Sequence, residues 1–123
     1  MSERTLGGRR VLVVEDEWVT ADDLCGQIRG EGAQVVGPVA TVAQALGAIE
    51  GGPPDAAILD INLGGEMAFR VADALRARGI PFLFATGYDA WSIPEGYRDV
   101  TRLEKPFDVS RCLRMLWREL EAG

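Results

Sequence analysis

The side chains of this sequence that could carry chemistry are carboxylates, one hydroxyl and one lysine. Each follows a short apolar run, in the order Glu15 and Asp16, Asp60, Thr86 and Lys105. The sequence contains no histidine, which excludes a histidine nucleophile, a Ser-His-Asp triad and most zinc sites. The phosphate-binding patterns GxxxxGKS/T and GxGxxG are also absent. Any reaction must therefore use carboxylates, hydroxyls and lysine.

Carboxylates gathered in one place repel one another, and burial raises the cost of keeping them charged. A hard divalent cation removes this conflict, and an oxygen-rich site with room for water and phosphate suits Mg²⁺. An aspartate can also attack a phosphoryl group and form an aspartyl phosphate. Such a transfer depends on neutralising the phosphoryl oxygens. The metal would neutralise one oxygen and Lys105 a second, and the Thr86 hydroxyl would donate a hydrogen bond to a third.

These side chains can meet only if the apolar runs end side by side. Residues 11–14, 35–36, 56–59, 82–85 and, more weakly, 102–103 have the composition of short buried strands. Apolar residues at helical spacing lie between and after them: Ala21, Leu24, Cys25 and Ile28; Val42, Ala45, Leu46 and Ile49; Ala68, Val71, Ala72 and Leu75; Val109, Leu113, Leu116, Trp117 and Leu120. This alternation predicts an open parallel sheet with right-handed crossovers and helices on both faces.

The predicted sheet also brings the acidic residues together. In the flavodoxin-like strand order 2-1-3-4-5, ligands bind beyond the carboxyl ends of the strands, at the switch point between strands one and three. Glu15 and Asp16 follow strand one, and Asp60 follows strand three. We therefore predict an α/β fold of flavodoxin-like order with these carboxylates at its switch point.

Residues 87–100 break the regular alternation. They contain Pro94 and Gly96, and the aromatic residues Trp91 and Tyr97 do not fall on one helical stripe. We expect a short or irregular fourth helix here. The two aromatic side chains would either cover the core or contact a partner, and both interpretations stay open.

Length and composition restrict the class of protein. The 123 residues suffice for one domain, and 47% hydrophobic with 26% charged residues is typical of a soluble globular protein. The net charge of −6 argues against a broad nucleic-acid-binding surface, so no direct DNA binding is expected. No apolar run approaches the ~20 residues that cross a bilayer, and the N-terminus lacks a signal-peptide core. We expect a cytoplasmic protein with no membrane contact.

Two further expectations concern the termini and the cysteines. Residues 1–9 are polar and contain glycine, so we expect a flexible leader there, followed by one domain over residues 10–121. Cys25 and Cys112 have apolar neighbours at helical spacing. We expect two core thiols in a reducing compartment.

The segments VLVVEDE, ILDINL, FATGY and LEKPF occur in that order at the predicted strand ends. Together they resemble the receiver domain of bacterial two-component response regulators, over about residues 10 to 120. The resemblance implies a CheY-like fold with Asp60 as the phospho-acceptor. It also implies that Asp16 binds Mg²⁺ directly, Glu15 largely through water, and Asn62 through its backbone carbonyl.

The resemblance further implies that Thr86 is the switch hydroxyl and Lys105 the phosphate-sensing lysine, with a peptide bond to Pro106 that is commonly cis. Residues 81–88, PFLFATGY, are similar to the FAT GUY subgroup, which includes many single-domain regulators. That subgroup lacks the usual aromatic switch residue on strand five, and Arg102 stands at the matching position here. The ordinary coupling of threonine to an aromatic residue is therefore not expected.

The resemblance implies a stand-alone receiver that takes a phosphoryl group from a partner histidine kinase or histidine phosphotransfer protein. It would signal through a downstream protein partner or pass the phosphate on, and its own chemistry would be limited to self-phosphorylation and self-dephosphorylation. The alternative suggested by Arg102 is a phosphorylation-independent protein-binding pseudo-receiver. A Mg²⁺-dependent phosphohydrolase is a third class, but the sequence offers no large lid or second domain for an external substrate.

Overall fold

The computed structural model describes residues 7–87 and 93–122. In chain order, its elements are β1 (Arg10–Val14), α1 (Trp18–Gly30), β2 (Gln34–Val39), α2 (Val42–Gly51), β3 (Ala56–Asp60), β4 (Asn62–Leu63), β5 (Glu66–Met67), α3 (Phe69–Ala77), β6 (Phe82–Thr86), a 3₁₀ helix (Glu95–Tyr97), β7 (Arg102–Glu104) and α4 (Val109–Ala122).

Five of these strands form one parallel sheet in the order β2-β1-β3-β6-β7. With the small β4–β5 hairpin set aside, this is the order 2-1-3-4-5, so the predicted flavodoxin-like fold is confirmed. In the register, Val14 pairs with Leu59, Asp60 with Ala85, and Thr86 with Glu104. The carboxyl ends of four adjacent strands therefore finish at nearly the same level, at one edge of the sheet.

The core has two layers, because successive strand residues point to opposite faces of the sheet. Leu12 and Val14 of β1 pack in the layer with α2 and α3, whereas Val11 and Val13 pack in the layer with α1 and α4. All residues of β3 and β6 are buried, as expected for central strands covered on both faces.

Both cysteines lie in the α1–α4 layer as free, buried thiols, as the sequence predicts. Burial raises the pKa of the Cys25 thiol, and it raises that of Cys112 to about 12. Because the thiolate is the reactive form, both side chains are packing groups in the folded protein.

Two features differ from the sequence-based expectation. Strand β2 covers six residues instead of two, because its half-exposed edge position leaves no continuous apolar run. The β4–β5 hairpin was not predicted at all. Its two-residue turn is Gly64-Gly65, with φ of +64° and +101°, and such positive φ values at both positions favour glycine.

The segment before β7 contains, within the part that the structure describes, only the short 3₁₀ helix. This agrees with the expected short or irregular helix. Tyr97 is half-buried and packs against the core, which favours core cover over partner contact, whereas Trp91 lies outside the described residues.

Most of the expected leader also lies outside the described residues. Residues 7–9 are the part of the leader that the structure describes. The Gly8 N–H donates to the Gly32 carbonyl at 3.0 Å, and the Arg9 carbonyl accepts from the Gln34 N–H at 2.8 Å. Over residues 7–87 and 93–122, no helix has both the length and the apolar character needed to cross a bilayer.

Thr41 begins α2 as its N-cap. Its side-chain oxygen accepts a hydrogen bond from the Gln44 N–H at 3.1 Å, and the Gln44 side chain accepts one from the Ala40 N–H at 3.0 Å. The first bond satisfies a backbone donor that the first turn of a helix cannot pair internally, and the second fixes the residue before the cap.

We predict that Thr41→Ala lowers the free energy of unfolding by about 1 kcal/mol, because the cap acceptor is lost. Thr41→Ser retains the hydroxyl and should cost clearly less. Urea denaturation followed by circular dichroism measures both variants, and equal losses would contradict the capping role.

Candidate functional site

The carboxyl ends of β1 and β3 bring three acidic side chains together. Glu15 and Asp16 directly follow β1, and Asp60 is the last residue of β3. One carboxylate oxygen from each lies within 4.8 Å of the other two. Glu15 and Asp60 are buried and Asp16 is exposed, so the cluster reaches from the sheet edge to the surface.

Lys105, in the loop after β7, supplies a cation to this cluster. Its Nζ lies 2.9 Å from Glu15, donates to Asp60 Oδ2 at 3.1 Å, and lies 3.6 Å from Glu17 Oε1. Two buried carboxylates thus share one ammonium group. Buried charges require such pairing, because desolvation destabilises an isolated one.

The charges shift each other's pKa values. Burial, and next the charge of Asp60, raise the pKa of Glu15 to about 7, although the hydrogen bond from Lys105 opposes the rise. Burial alone would lower the pKa of Lys105, but its hydrogen bond to Glu15 and the negative charge of Asp60 outweigh this effect and raise it. Lys105 therefore stays protonated, and the buried Glu15 carboxyl is only partly ionised near neutral pH.

The β4–β5 hairpin forms one wall of the site. The Asn62 N–H donates to Asp60 Oδ1 at 3.2 Å, and the Asn62 side chain accepts from the Gly65 N–H at 2.7 Å. A Cβ at Gly64 would lie 3.5 Å from Asp16 Oδ2, so the turn passes beside that carboxylate. The proposed metal-ligand role of the Asn62 carbonyl stays a prediction.

The carboxylates of Asp16 and Asp60 line a cavity of about 600 Å³. Its lining comprises Asp16, Glu17, Asp60, Ile61, Asn62, Gly64, Gly65, Met67, Thr86, Gly87 and Lys105. Thr86 is buried at the end of β6, and its carbonyl accepts from the Lys105 N–H at 2.6 Å. The Lys105-Pro106 peptide is cis. The cavity is open to solvent and large enough for a phosphoryl group with its water.

Glu17 is the N-cap residue of α1, where its negative charge lies beside the positive end of the helix dipole. Its carboxylate accepts from the Thr20 hydroxyl at 2.7 Å, and this hydrogen bond is the main cause that lowers its pKa. Sequence reasoning missed its approach to Lys105. The signal was its place directly after Glu15-Asp16, but adjacency in sequence does not specify where the side chain points.

The donor set fits a hard divalent cation. Glu15, Asp16 and Asp60 offer only carboxylate oxygens, which are ligands that Mg²⁺ accepts, and the chain has no histidine to favour a softer metal. The structure therefore brings together a potential nucleophile, Asp60, a potential cation site, a lysine and the strand end that carries Thr86. This arrangement can accept a phosphoryl group and neutralise its oxygens.

Curated relatives of this chain are signalling and regulatory proteins. The sensory transduction protein LytT of Bacillus anthracis is 32% identical over an alignment of 111 residues that covers 87% of this chain and 45% of LytT. The transcriptional regulatory protein PdtaR of Mycobacterium tuberculosis is 30% identical over 106 residues, 83% of this chain and 52% of PdtaR. The chain thus spans about half the length of these relatives. No family model matches it.

Solved structures share the fold along nearly the whole chain. SdrG from Sphingomonas melonis Fr1 is 43% identical with a TM-score of 0.80, covering 93% of this chain and 97% of SdrG. The receiver domain of the PhyR response regulator from Erythrobacter litoralis is 26% identical, also with a TM-score of 0.80, covering 95% of this chain and 92% of that domain. Together with the geometry of the acidic site, these similarities show that the chain belongs to the response-regulator receiver family.

Proposed function

We propose that this chain is a receiver that accepts a phosphoryl group on Asp60 from a phosphohistidine of a partner kinase or phosphotransfer protein. The observation that carries the proposal is the placement of Asp60, which faces an open cavity beside two further carboxylates and Lys105. We also propose a cytoplasmic location, as expected from the sequence.

In the proposed transfer, the Asp60 carboxylate attacks the phosphorus of the donor phosphohistidine. The new P–O bond forms as the P–N bond breaks, and the bonding electrons leave with the donor imidazole. Lys105 neutralises charge on one phosphoryl oxygen, and the Thr86 hydroxyl donates to another. Asp16, Asp60, Glu15 and the Asn62 carbonyl would hold Mg²⁺, which would supply the remaining neutralising charge.

The proposed step that ends the signal is hydrolysis of the aspartyl phosphate, a separate reaction from the transfer. A water molecule from the open cavity attacks the phosphorus, releasing inorganic phosphate and the free Asp60 carboxylate. This chemistry acts on the protein's own side chain and needs no external organic substrate. The lifetime of the aspartyl phosphate would therefore set the duration of the signal, and the receiver would not act as a conventional enzyme.

Two exposed apolar side chains support contact with a protein donor. Trp18 and Val19, in the first turn of α1, are 75% and 78% exposed, and they directly follow Glu17, which lines the cavity. For its phosphohistidine to reach Asp60, the donor protein must cover the opening of this cavity. We propose that the donor protein packs on Trp18 and Val19, and that a downstream protein partner recognises the phosphorylated form.

The competing function is phosphorylation-independent binding, which the exposed Arg102 at the usual aromatic position favours. The two functions differ in their dependence on Asp60. Partner binding that is the same for unphosphorylated, phosphorylated and Asp60→Ala protein would support the competing function.

We predict that incubation with Mg²⁺ and acetyl phosphate adds one phosphoryl group, detected by intact mass spectrometry. Asp60→Ala should show no adduct, because the nucleophile is missing. Asp23→Ala is a matched control, since Asp23 is exposed on α1 outside the acidic cluster, and it should be labelled like the wild type. The absence of an adduct on the wild type, or an equal adduct on Asp60→Ala, would reject the proposal.

We predict that Asp16→Asn weakens Mg²⁺ binding roughly tenfold or more, because a charged ligand is lost. At a Mg²⁺ concentration 100 times the wild-type Kd, binding stabilises the wild type by about 2.7 kcal/mol and a tenfold weaker site by about 1.4 kcal/mol. Thermal unfolding with and without Mg²⁺ measures this difference.

Without metal, Asp16→Asn should be at least as stable as the wild type, since the substitution relieves repulsion with Glu15 and Asp60. Asp23→Asn serves as the control and should keep the full Mg²⁺ response. A full response in Asp16→Asn would show that Asp16 is not a ligand.

A further inference from the structure

Tyr97, in the 3₁₀ helix before β7, makes several contacts with residues outside the acidic site. Its ring stacks on Phe69 with centroids 4.8 Å apart and meets Phe84 edge-on at 6.4 Å. Its hydroxyl donates a hydrogen bond to the Asp73 carboxylate. The guanidinium carbon of Arg76 lies 5.3 Å from the ring centroid. One ring is thus held from the sheet and from α3 at once.

Arg76 ties the same segment to α3 through two further hydrogen bonds. It donates to the Gly96 carbonyl at 2.7 Å and to Asp99 Oδ1 at 2.8 Å. We call these contacts the α3 latch, which comprises Asp73, Arg76, Gly96, Tyr97 and Asp99. The latch holds residues 96–99 against the helix.

The latch joins two elements that both lead to the acidic site. Phe84 lies two residues before Thr86 on β6, so both side chains are on the same face of the sheet. Helix α3 follows the hairpin that begins beyond Asp60, and the Ala68 N–H at its start donates to the Ile61 carbonyl at 2.8 Å. A displacement at Thr86 or in the hairpin would therefore reach Tyr97 through packed neighbours.

The latch also provides the aromatic ring that β7 lacks. Arg102 pairs with Phe84 in the sheet register, so its side chain is on the same face, but it is exposed. Among the described residues between β6 and β7, the aromatic ring that contacts Phe84 is that of Tyr97. The position of Tyr97 in space, not its position in the sequence, makes it the counterpart of a strand-borne aromatic residue.

We propose that the α3 latch is the conformational device that phosphorylation opens. This proposal rests on the proposed phosphorylation of Asp60. In the unphosphorylated protein the latch is closed. Movement of Thr86 and of the hairpin towards the phosphoryl group shifts Phe84 against Phe69, loosens the stacked Tyr97 ring and frees the surface of residues 93–104 for a protein partner.

The composition of the latch suits reversible opening. The Arg76–Asp99 ion pair is exposed, with 38% and 79% of the two side chains accessible, and exposed pairs stabilise only weakly. Open and closed populations can then be close enough in free energy for one added phosphoryl group to shift them.

Hydrogen exchange tests the proposal on the full chain, with Mg²⁺ and beryllofluoride as the phosphoryl mimic. The amides of Tyr97, Arg98 and Val100 donate to carbonyls within the segment and report its closure. Beryllofluoride should accelerate their exchange in the wild type. Tyr97→Phe keeps the ring but loses the bond to Asp73, and Arg76→Gln loses the ion pair. Both should show roughly three- to tenfold faster exchange without the mimic.

Because coupling is reciprocal, both variants should also bind beryllofluoride more tightly. The gain in affinity should be about as large as the increase in the open population that each substitution causes. Arg70→Gln is the matched control, since Arg70 is exposed on the same helix without a role in the latch, and it should behave like the wild type. Unchanged exchange in the wild type on binding the mimic, or unchanged affinity in both variants, would overturn the proposal.

Failure of the proposed function has a different signature. Absence of any acetyl phosphate adduct on Asp60 would reject phosphorylation itself, and with it a phosphorylation-driven latch. An adduct on Asp60 with no change in segment exchange would reject the latch alone.

Discussion

The shared ion pairing of Lys105 with Glu15 and Asp60 is the interaction on which the rest of the structure depends. The two buried carboxylates and the ammonium group come from the ends of three different strands, β1, β3 and β7. If one of these strands slipped in register, a buried charge would lose its partner, which is costly. The level ends of the parallel strands are therefore a condition for the site, and the site in turn penalises alternative registers.

The same crowding explains why the site is poised for chemistry. One ammonium group serves two buried carboxylates, and exposed Asp16 adds a third within 4.8 Å. The negative charge of three carboxylates exceeds what the Lys105 ammonium group can neutralise, so the site favours an additional cation. The Asn62 N–H donates a hydrogen bond to Asp60, and this buried carboxylate still lines the open cavity.

The sequence allowed prediction of those parts that depend on local pattern and strand ends. The apolar runs predicted the parallel sheet, and the polar residue after each run predicted where Glu15, Asp16, Asp60 and Lys105 would converge. The hairpin was missed although Gly64-Gly65 is a recognisable turn signal, because two-residue strands carry almost no periodicity.

The α3 latch could not have been predicted in the same way. Arg76 and Tyr97 are about twenty residues apart on different elements, and they meet through tertiary contacts that include the packing of Tyr97 on Phe69 and Phe84. The edge strand β2 was predicted too short for a related reason, since its exposure depends on its place in the sheet. Contacts between distant side chains thus required the three-dimensional structure, whereas strand-end placement did not.

The two buried thiols can serve as probes of opening in the α1–α4 layer, on the face of the sheet opposite the α3 latch. Cys25 and Cys112 belong to the α1–α4 layer, whereas Phe69, Phe84 and Tyr97 belong to the layer across the sheet. A thiol reagent can modify Cys112 only when its layer opens, because burial keeps the sulfur protonated and inaccessible. The rate of alkylation would then report how often the α1–α4 layer opens, and not how often the layer that contains Tyr97 does.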